Sequence, residues 1–455
     1  MKKTRYRVLA AILLLAVVLS GCSTTTPSTN TPATTSPDAP SNSSAPPSAS
    51  TSSAPPASPS DSASSAPVDT SKTSIVIGGS RPQTGVYAVF EQTGFGPVYR
   101  MWVEEVNAAG GIYVEEYGKQ LPIELKIYDD GSDMATMLRL MERLIIEDNV
   151  DIVFPPCSTA DLFAAAPLAD QYGKLLIGAE GGASALKESA AKFPGFFGPV
   201  NNSDTQIPAL VNVLKELNIG SAYVVFIEDL FGTEYSGALV PALTQAGIEV
   251  NKIKSIPADI GDMAPIINDA KADGAQAFIL LAYPDQNFAA VGTASALGYN
   301  PDVFLLGPGG GFDFVKFMFG GPQAIEGVMS FGAWSPKSSP AAQEYFDKYM
   351  AYITDNPVEA EASIDWWGHL PYYMSLQVLQ QAIERAGTLD NDKIAEIIRT
   401  EKFDTCMGEI WFDSNVLAAE CFAGNIGQWQ NGLYEVVDGA KRTADPIVKP
   451  AWAAP

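Results

Sequence analysis

Short apolar runs that alternate with amphipathic segments constrain the fold of this chain more than any other feature of its sequence. From residue 73 onward, apolar strand patterns at 74–79, 123–128 and 151–154 are each followed by a segment with helical periodicity. The strand patterns are apolar throughout, which is typical of a parallel sheet that helices cover on both faces. The sequence therefore predicts an α/β fold with parallel sheets.

The same pattern begins again after residue 200, which predicts a second lobe. Strand patterns at 221–227, 249–256 and 277–281 alternate with helical ones, and further strands are predicted at 303–306 and 327–331. The roughly 380 residues beyond residue 72 are also more than one hydrophobic core usually holds. We predict two doubly wound, Rossmann-like lobes, one from 73–200 and about 335–405, the other from 201–334 and about 406–445.

The first 72 residues are predicted to lie outside this fold. Residues 1–21 are typical of an export signal, because basic residues precede an apolar core at 8–19 that is shorter than a membrane span. The segment Leu19-Ser20-Gly21-Cys22 resembles the bacterial lipobox, which implies that Cys22 becomes the lipid-bearing first residue of the mature chain. An ordinary signal peptide and an uncleaved anchor are the alternatives. Residues 22–72 are rich in Ser, Thr, Pro and Ala, which predicts a disordered tether.

Charge and missing motifs exclude several classes of function. The chain has 28 basic and 52 acidic residues, whereas nucleic-acid binding needs a basic face. Nucleophile-elbow and Walker A sequences are absent, and the single histidine, His369, lies in a helical pattern. No His and Cys residues have the spacing of a zinc site, and Asp133 is expected to cap a helix rather than bind a metal. We therefore expect a protein that is not an enzyme and that needs no cofactor or metal.

Three cysteines remain if Cys22 carries a lipid. Cys406 and Cys421 flank a strand and turn pattern, so a disulfide between them and a pair of free thiols are both open interpretations. Cys157 has no evident partner and is expected to be a buried free thiol.

The candidate binding site lies where the strands of the two lobes end. Ligands of parallel α/β sheets bind at the carboxyl ends of strands, and two facing sheets surround one cleft with such ends. Ser158 and Thr159 follow the strand at 151–154 and begin a helix, whose free N–H groups favour a carboxylate. The alternative is that Ser158 only caps this helix, with Asp161 three residues later completing the capping pattern.

Six short stretches carry a resemblance to a known family. They are NAAGGI at 107–112, YDD at 128–130, VDIVFPPCSTAD at 150–161, FIEDLFG at 226–232, LLAYPDQ at 280–286 and FLLGPGG at 304–310. In this order they resemble the substrate-binding proteins of ABC importers of the branched-chain amino acid and amide type. The resemblance extends from Ser74 essentially to the C-terminus. It implies the type I periplasmic-binding fold, in which two lobes joined by three crossovers close on a ligand.

The resemblance also implies which residues bind the ligand. Ser158 matches a hydroxyl that holds the ligand carboxylate. Glu180 and Gly182 match the next strand end, where Gly182 offers only its backbone. The aromatic positions that cover the ligand correspond to Phe90, Phe231 and Tyr283.

One implied position departs from the family pattern. Gly309 stands where binders of branched-chain amino acids carry a glutamate for the ligand ammonium group. Glu180 or Asp285 would have to replace that glutamate, and a ligand other than an amino acid is the alternative.

Two further side chains are candidates for ligand contact. Arg81 follows the first strand, where it could pair with a carboxylate, although it could also be an exposed arginine at the rim. Trp366, or its neighbour Trp367, could stack on a ring of the ligand or could be packing. Together with the aromatic walls, these side chains suggest a planar or aromatic carboxylate, or an amide.

We therefore expect an extracytoplasmic solute-binding lipoprotein of an ABC importer, anchored to the outer face of a bacterial cell membrane. Its partners would be a small carboxylate- or amide-bearing molecule and the permease subunits, and the chain would act as a monomer. A ligand-sensing module of a signalling system with the same fold is the alternative function.

Overall fold

Two β-sheets flanked by helices form the framework of the chain in a computed structural model, which describes residues 71–178, 180–198 and 200–452. The predicted export signal, Cys22 and the tether up to residue 70 lie outside the described residues. In the described part, no helix is both long and apolar enough to cross a bilayer.

The sheet of the first lobe is parallel. β1 (Ile75–Arg81) lies between β4 (Ile123–Asp129), which it pairs along its whole length, and β5 (Ile152–Val153). Nearly every residue of β1 is buried, as expected for a central strand covered on both faces. The other elements of this part are α1 (Gly96–Ala108), β2 (Ile112–Val114), β3 (Lys119–Leu121), α2 (Met134–Ile146), α3 (Thr159–Gln171), β6 (Leu176–Ile177), α4 (Leu186–Lys192) and β7 (Phe196–Phe197).

The second lobe contains five parallel strands in the order β12-β11-β10-β8-β9. Its central strands are fully buried between layers of helices, which places the core of this lobe around them. Its elements are α5 (Ser203–Glu216), β8 (Ser221–Ile227), α6 (Leu230–Gln245), β9 (Glu249–Ile256), α7 (Ala264–Asp273), β10 (Ala277–Leu281), α8 (Pro284–Ala296), β11 (Val303–Leu306), α9 (Val315–Met318) and β12 (Met329–Ala333).

The C-terminal part is divided between the lobes. Its elements are α10 (Pro340–Asp355), α11 (His369–Ala386), α12 (Asn391–Thr400), β13 (Phe403–Thr405), β14 (Gly408–Ile410), β15 (Phe412–Asp413), β16 (Val416–Leu417), β17 (Gly424–Gln430) and β18 (Leu433–Val436). The helices α10 and α11 pack against α1 of the first lobe. In contrast, β17 pairs antiparallel with β12, and β18 with β17, so both extend the second sheet. The chain therefore passes between the lobes three times, which confirms the type I topology. The residue boundaries of the lobes stay a prediction.

Three details differ from the sequence-based expectations. The strands β4 and β9 lie at sheet edges and are partly exposed, so they are not covered on both faces. Helical periodicity at 365–386 predicts a helix from residue 365, but the helix begins only at His369, because the Asp365 carboxylate accepts the N–H groups of Trp367 and Gly368 and holds a turn there. Helical periodicity at 95–109 predicts a helix there, and the observed helix α1 is preceded by a π-helical turn, Phe90–Phe95.

The disulfide interpretation is wrong. Cys406 and Cys421 are both buried free thiols, and the Cys406 thiol donates to the Leu370 carbonyl oxygen over 3.4 Å instead. Cys157 is also a buried free thiol, as expected.

Candidate functional site

A small cavity lies between the two lobes and encloses about 30 Å³. This is room for one or two water molecules, so a larger solute would enter only if the lobes separate. The lining includes strand-end residues of both lobes and residues from the segment before α11. The lining residues are Tyr87, Phe90, Phe95, Cys157, Ser158, Thr159, Glu180, Gly182, Phe231, Tyr283, Pro308, Asp365 and Trp367.

Ser158 both lines the cavity and caps a helix. Its Oγ accepts the Asp161 N–H over 3.1 Å at the start of α3, so Ser158 caps this helix, whereas its contact with a ligand stays a prediction. The backbone of Ser158 has φ +118°, a region that residues with a Cβ rarely adopt and that is found mainly where function or a tight turn requires it. Thr159, the first residue of α3, is buried beside it. Burial raises the pKa of the nearby Asp161 to about 6.

Arg81 does not reach the cavity, and both sequence-based interpretations of it are wrong. It is the last residue of β1 and is completely buried. Its guanidinium forms ion pairs of 2.9 Å with Glu91 and Glu180 and donates to the Pro155 carbonyl oxygen. Because these contacts use its N–H groups, Arg81 holds Glu180 and the backbone at Pro155 in place beside the cavity rather than binding a ligand carboxylate.

Glu180 lines the cavity as predicted, but its carboxylate is already paired. The pairing with Arg81 joins two side chains that are fully buried. Glu180 is therefore a weak replacement for the missing glutamate, and Asp285, in the first turn of α8, is exposed and outside the lining.

Aromatic side chains from both lobes meet at the cavity. The Tyr283 ring stacks on Phe231 with a centroid distance of 5.5 Å and meets the edge of Tyr87 at the same distance. Phe90 contacts Tyr283 at 6.5 Å, and the Tyr283 hydroxyl donates to Asp229 over 2.7 Å. These contacts confirm that Phe90, Phe231 and Tyr283 line the cavity, whereas their binding of a ligand stays a prediction.

Trp366 was the wrong choice of the two tryptophans. Its ring is buried against Trp334 at 4.9 Å and Phe346 at 5.8 Å, away from the cavity. Trp367 lines the cavity instead, and its Nε1 donates to the Asn201 side chain over 3.2 Å. The Trp367 ring lies so close to Gly332, at φ +70°, that a Cβ there would be 1.8 Å from the ring.

Gly309 is also outside the cavity lining. It has φ +93°, and an added Cβ would lie 2.6 Å from the Pro284 ring. Glycine is therefore required by the local backbone and packing, and the absence of a side chain here does not widen the cavity. The neighbouring Pro308 lines the cavity instead.

Asp365 is the acidic residue that sequence reasoning missed. It is 2% exposed, lines the cavity, and accepts the backbone N–H groups of Trp367 at 3.0 Å and Gly368 at 2.9 Å. Burial raises the pKa of Asp365 to about 6. The sequence does place an Asp directly before two tryptophans, which could have indicated a binding residue. It was not recognised because this segment has a helical pattern.

Two contacts join the lobes beside the cavity. The Glu234 carboxylate of α6 accepts the N–H groups of Ser184 at 2.6 Å and Ala185 at 3.2 Å, just before α4. The Tyr235 hydroxyl lies 2.9 Å from the Gly182 carbonyl oxygen. Both contacts require the lobes to be close together, so both belong to the closed arrangement.

Among the described residues, no histidine lines the cavity. Burial lowers the pKa of His369 to about 3, so its imidazole is neutral at pH 7, and it is not in the lining. The described residues contain no group of His, Cys, Asp and Glu side chains that could hold a metal ion.

Comparison with known proteins agrees with this fold. The chain is 24% identical over 345 residues to the leucine-, isoleucine-, valine-, threonine- and alanine-binding protein of Pseudomonas aeruginosa, covering 75% of this chain and 85% of that protein. Its fold is similar to the leucine-binding protein LivK of Thermotoga maritima, with a TM-score of 0.65, 20% identity, and coverage of 83% of this chain and 99% of that one. It is also similar to a solute-binding protein of an ABC transporter from Rhodopseudomonas palustris, solved with 3,4-dihydroxybenzoic acid, with a TM-score of 0.66, 18% identity, and coverage of 83% and 99%.

These relatives are binding proteins rather than enzymes. A family model described as periplasmic binding protein matches residues 74–432, which include both lobes and every residue of the cavity lining. This chain belongs to the periplasmic binding protein family.

Proposed function

We propose that this protein captures a small solute between its lobes and delivers it to the permease of an ABC importer. The observation that carries the proposal is the cavity itself, to which both lobes contribute polar and aromatic strand-end residues. A solute that contacts both sides stabilises the closed arrangement relative to the open one, and this difference drives closure.

The polar side of the cavity supports a solute with a carboxylate or amide. Ser158 and Thr159 stand at the start of α3, where the helix dipole and hydrogen-bond donors favour an anionic or polar oxygen. The Pseudomonas aeruginosa relative is named for amino acids, and the Rhodopseudomonas palustris structure contains an aromatic acid. Arg81 is outside the lining and cannot pair with an aromatic acid there, whereas Trp367 still offers a ring on which such a ligand could stack.

A ligand screen tests the proposal. The purified chain is heated with each member of a panel of amino acids, amides and aromatic acids, and a true ligand is expected to raise its melting temperature. Small-angle scattering with that ligand should show a smaller radius of gyration and mass spectrometry an unaltered ligand. A ligand that binds without compaction would contradict the closure mechanism, and turnover of the ligand would contradict a binding function.

We also propose that Cys22 anchors the protein to the outer face of the cell membrane by a lipid. The support is the lipobox-like sequence followed by the tether, together with the extracytoplasmic location that the family implies. The Cys22→Ser variant should lose incorporation of labelled palmitate and leave the membrane fraction. Retention of the label in this variant would contradict the anchor.

A further inference from the structure

The cavity holds one carboxylate that no basic side chain neutralises. Two carboxylates line it, and that of Glu180 is paired with Arg81 at 2.9 Å. In the described part of the chain, Asp365 has no ion-pair partner within 4 Å, and its two carboxylate oxygen atoms accept the backbone N–H groups of Trp367 and Gly368. These two N–H groups offset part of the cost of burying the charge, and a nearby cation would stabilise the carboxylate further.

The surroundings of the cavity are also acidic. Arg81 is shared between two carboxylates, those of Glu91 and Glu180, so this buried group retains a net negative charge. Asp161 follows in the first turn of α3, and Asp229 accepts the Tyr283 hydroxyl. No Lys, Arg or His stands among the lining residues of the described chain. A cation is therefore favoured in the cavity, and a ligand with only negative charge is not.

Aromatic side chains make up nearly half of the lining. Tyr87, Phe90, Phe95, Phe231, Tyr283 and Trp367 all contribute to it. The faces of such rings carry partial negative charge and attract an ammonium group, most strongly where water is excluded. The rings and the carboxylate thus favour the same chemical group, although they come from different segments of the chain.

We propose that Asp365 and the surrounding aromatic side chains make the cavity selective for a solute with a cationic nitrogen. The cation lies against Asp365 and the rings, while the oxygen-bearing end of the solute faces Ser158 and Thr159. The inference rests on the proposed function, since it specifies the chemical class of the solute bound there. Asp365 would thus supply the negative charge for the ligand cation that neither Glu180 nor Asp285 can supply.

Two pairs of probes of matched shape test the inference by calorimetry on the purified full chain. L-leucine is compared with 4-methylpentanoate, and glycine betaine with 3,3-dimethylbutanoate, so each pair differs chiefly in the charged nitrogen. At least one cationic member should bind about tenfold or more tightly than its partner. The two pairs also distinguish a primary ammonium from a quaternary one.

Variants then assign the preference to Asp365. Asp365→Asn should remove the preference for the cationic member, whereas Asp285→Asn, an exposed control near the same strand end, should keep it. Melting curves verify that both variants fold. The comparison of probe pairs in the unaltered protein does not depend on any variant.

Each other outcome overturns the inference in its own way. Equal or tighter binding of the two carboxylates that lack the nitrogen contradicts a cationic ligand but leaves the proposed function intact. A preference that persists in Asp365→Asn contradicts the role of Asp365. If none of the four probes binds at about 1 mM, the inference fails, whereas the proposed function fails only if the broader ligand screen is also negative.

Discussion

The buried ion pairs of Arg81 give the sharpest test of how this site is held together. Arg81→Met replaces the guanidinium by a side chain of similar length without charge. In the present structure that guanidinium contacts Glu91 and Glu180 at 2.9 Å each, and all three side chains are at most 3% exposed. The variant therefore leaves two carboxylates close together in the interior with no cation between them.

The magnitude follows from the burial of these charges. Removing one partner of a buried ion pair typically lowers the free energy of unfolding by about 3–5 kcal/mol, because the remaining charge loses its compensation. Two carboxylates lose their partner here, so we expect the upper part of that range. A matched control is Arg442→Met, because Arg442 pairs with Glu216 at 2.7 Å at the surface. Such exposed pairs contribute about 0–1 kcal/mol.

The assay is urea denaturation followed by tryptophan fluorescence at pH 7. The combined variant Arg81→Met, Glu91→Gln and Glu180→Gln should recover most of the lost free energy of unfolding, since no uncompensated charge remains. If Arg81→Met costs no more than Arg442→Met, or if the combined variant is less stable than Arg81→Met alone, the buried-charge reasoning is refuted.

Three further predictions concern capping, closure and pH. Ser158→Ala and Ser339→Ala each remove a helix cap, so each should lower the free energy of unfolding by about 1 kcal/mol. Only Ser158→Ala should also weaken ligand binding, as measured by calorimetry. If both variants bind the ligand equally well, Ser158 acts as a helix cap alone. Glu234→Gln should weaken ligand binding about tenfold by loosening the contact between the lobes. Glu228→Gln, whose carboxylate bonds within one lobe, should not weaken binding, and an unaltered affinity in both variants would show that closure does not need Glu234. Because the pKa of Asp365 is raised to about 6, the folded chain binds its proton more tightly than the unfolded chain, so stability should fall by about 3 kcal/mol in total as pH rises from well below 4 to well above 6. Denaturation curves at several pH values should show a flatter decline for Asp365→Asn, and parallel profiles would contradict this origin.

Periodic patterns predicted most of the framework. Parallel strands that are buried on both faces leave continuous apolar runs, so the two sheets and the helices between them could be read from the sequence. Local caps were equally accessible, because Asp133 and Ser158 act on N–H groups only three residues away. Because the start of α3 could be located in this way, the sequence also predicted correctly that Ser158 and Thr159 lie at the cavity.

The errors arose where distant segments meet. Arg81 and Glu180 are 99 residues apart, and nothing in the neighbourhood of either shows that they pair. Asp365 and Trp367 reach the cavity from an irregular segment without a period, where a shift of one residue decides which tryptophan faces the cavity. The free thiols Cys406 and Cys421 likewise depend on packing that their spacing does not show.

The position of Trp367 has an optical consequence. All seven tryptophans of the chain lie in the described part, and Trp367 is the one that lines the cavity. Its ring is wedged against Gly332 of β12, so any movement of one lobe relative to the other displaces the indole from its surroundings. Emission from this side chain should therefore change when a solute enters. The protein thus contains its own fluorescent reporter of ligand capture.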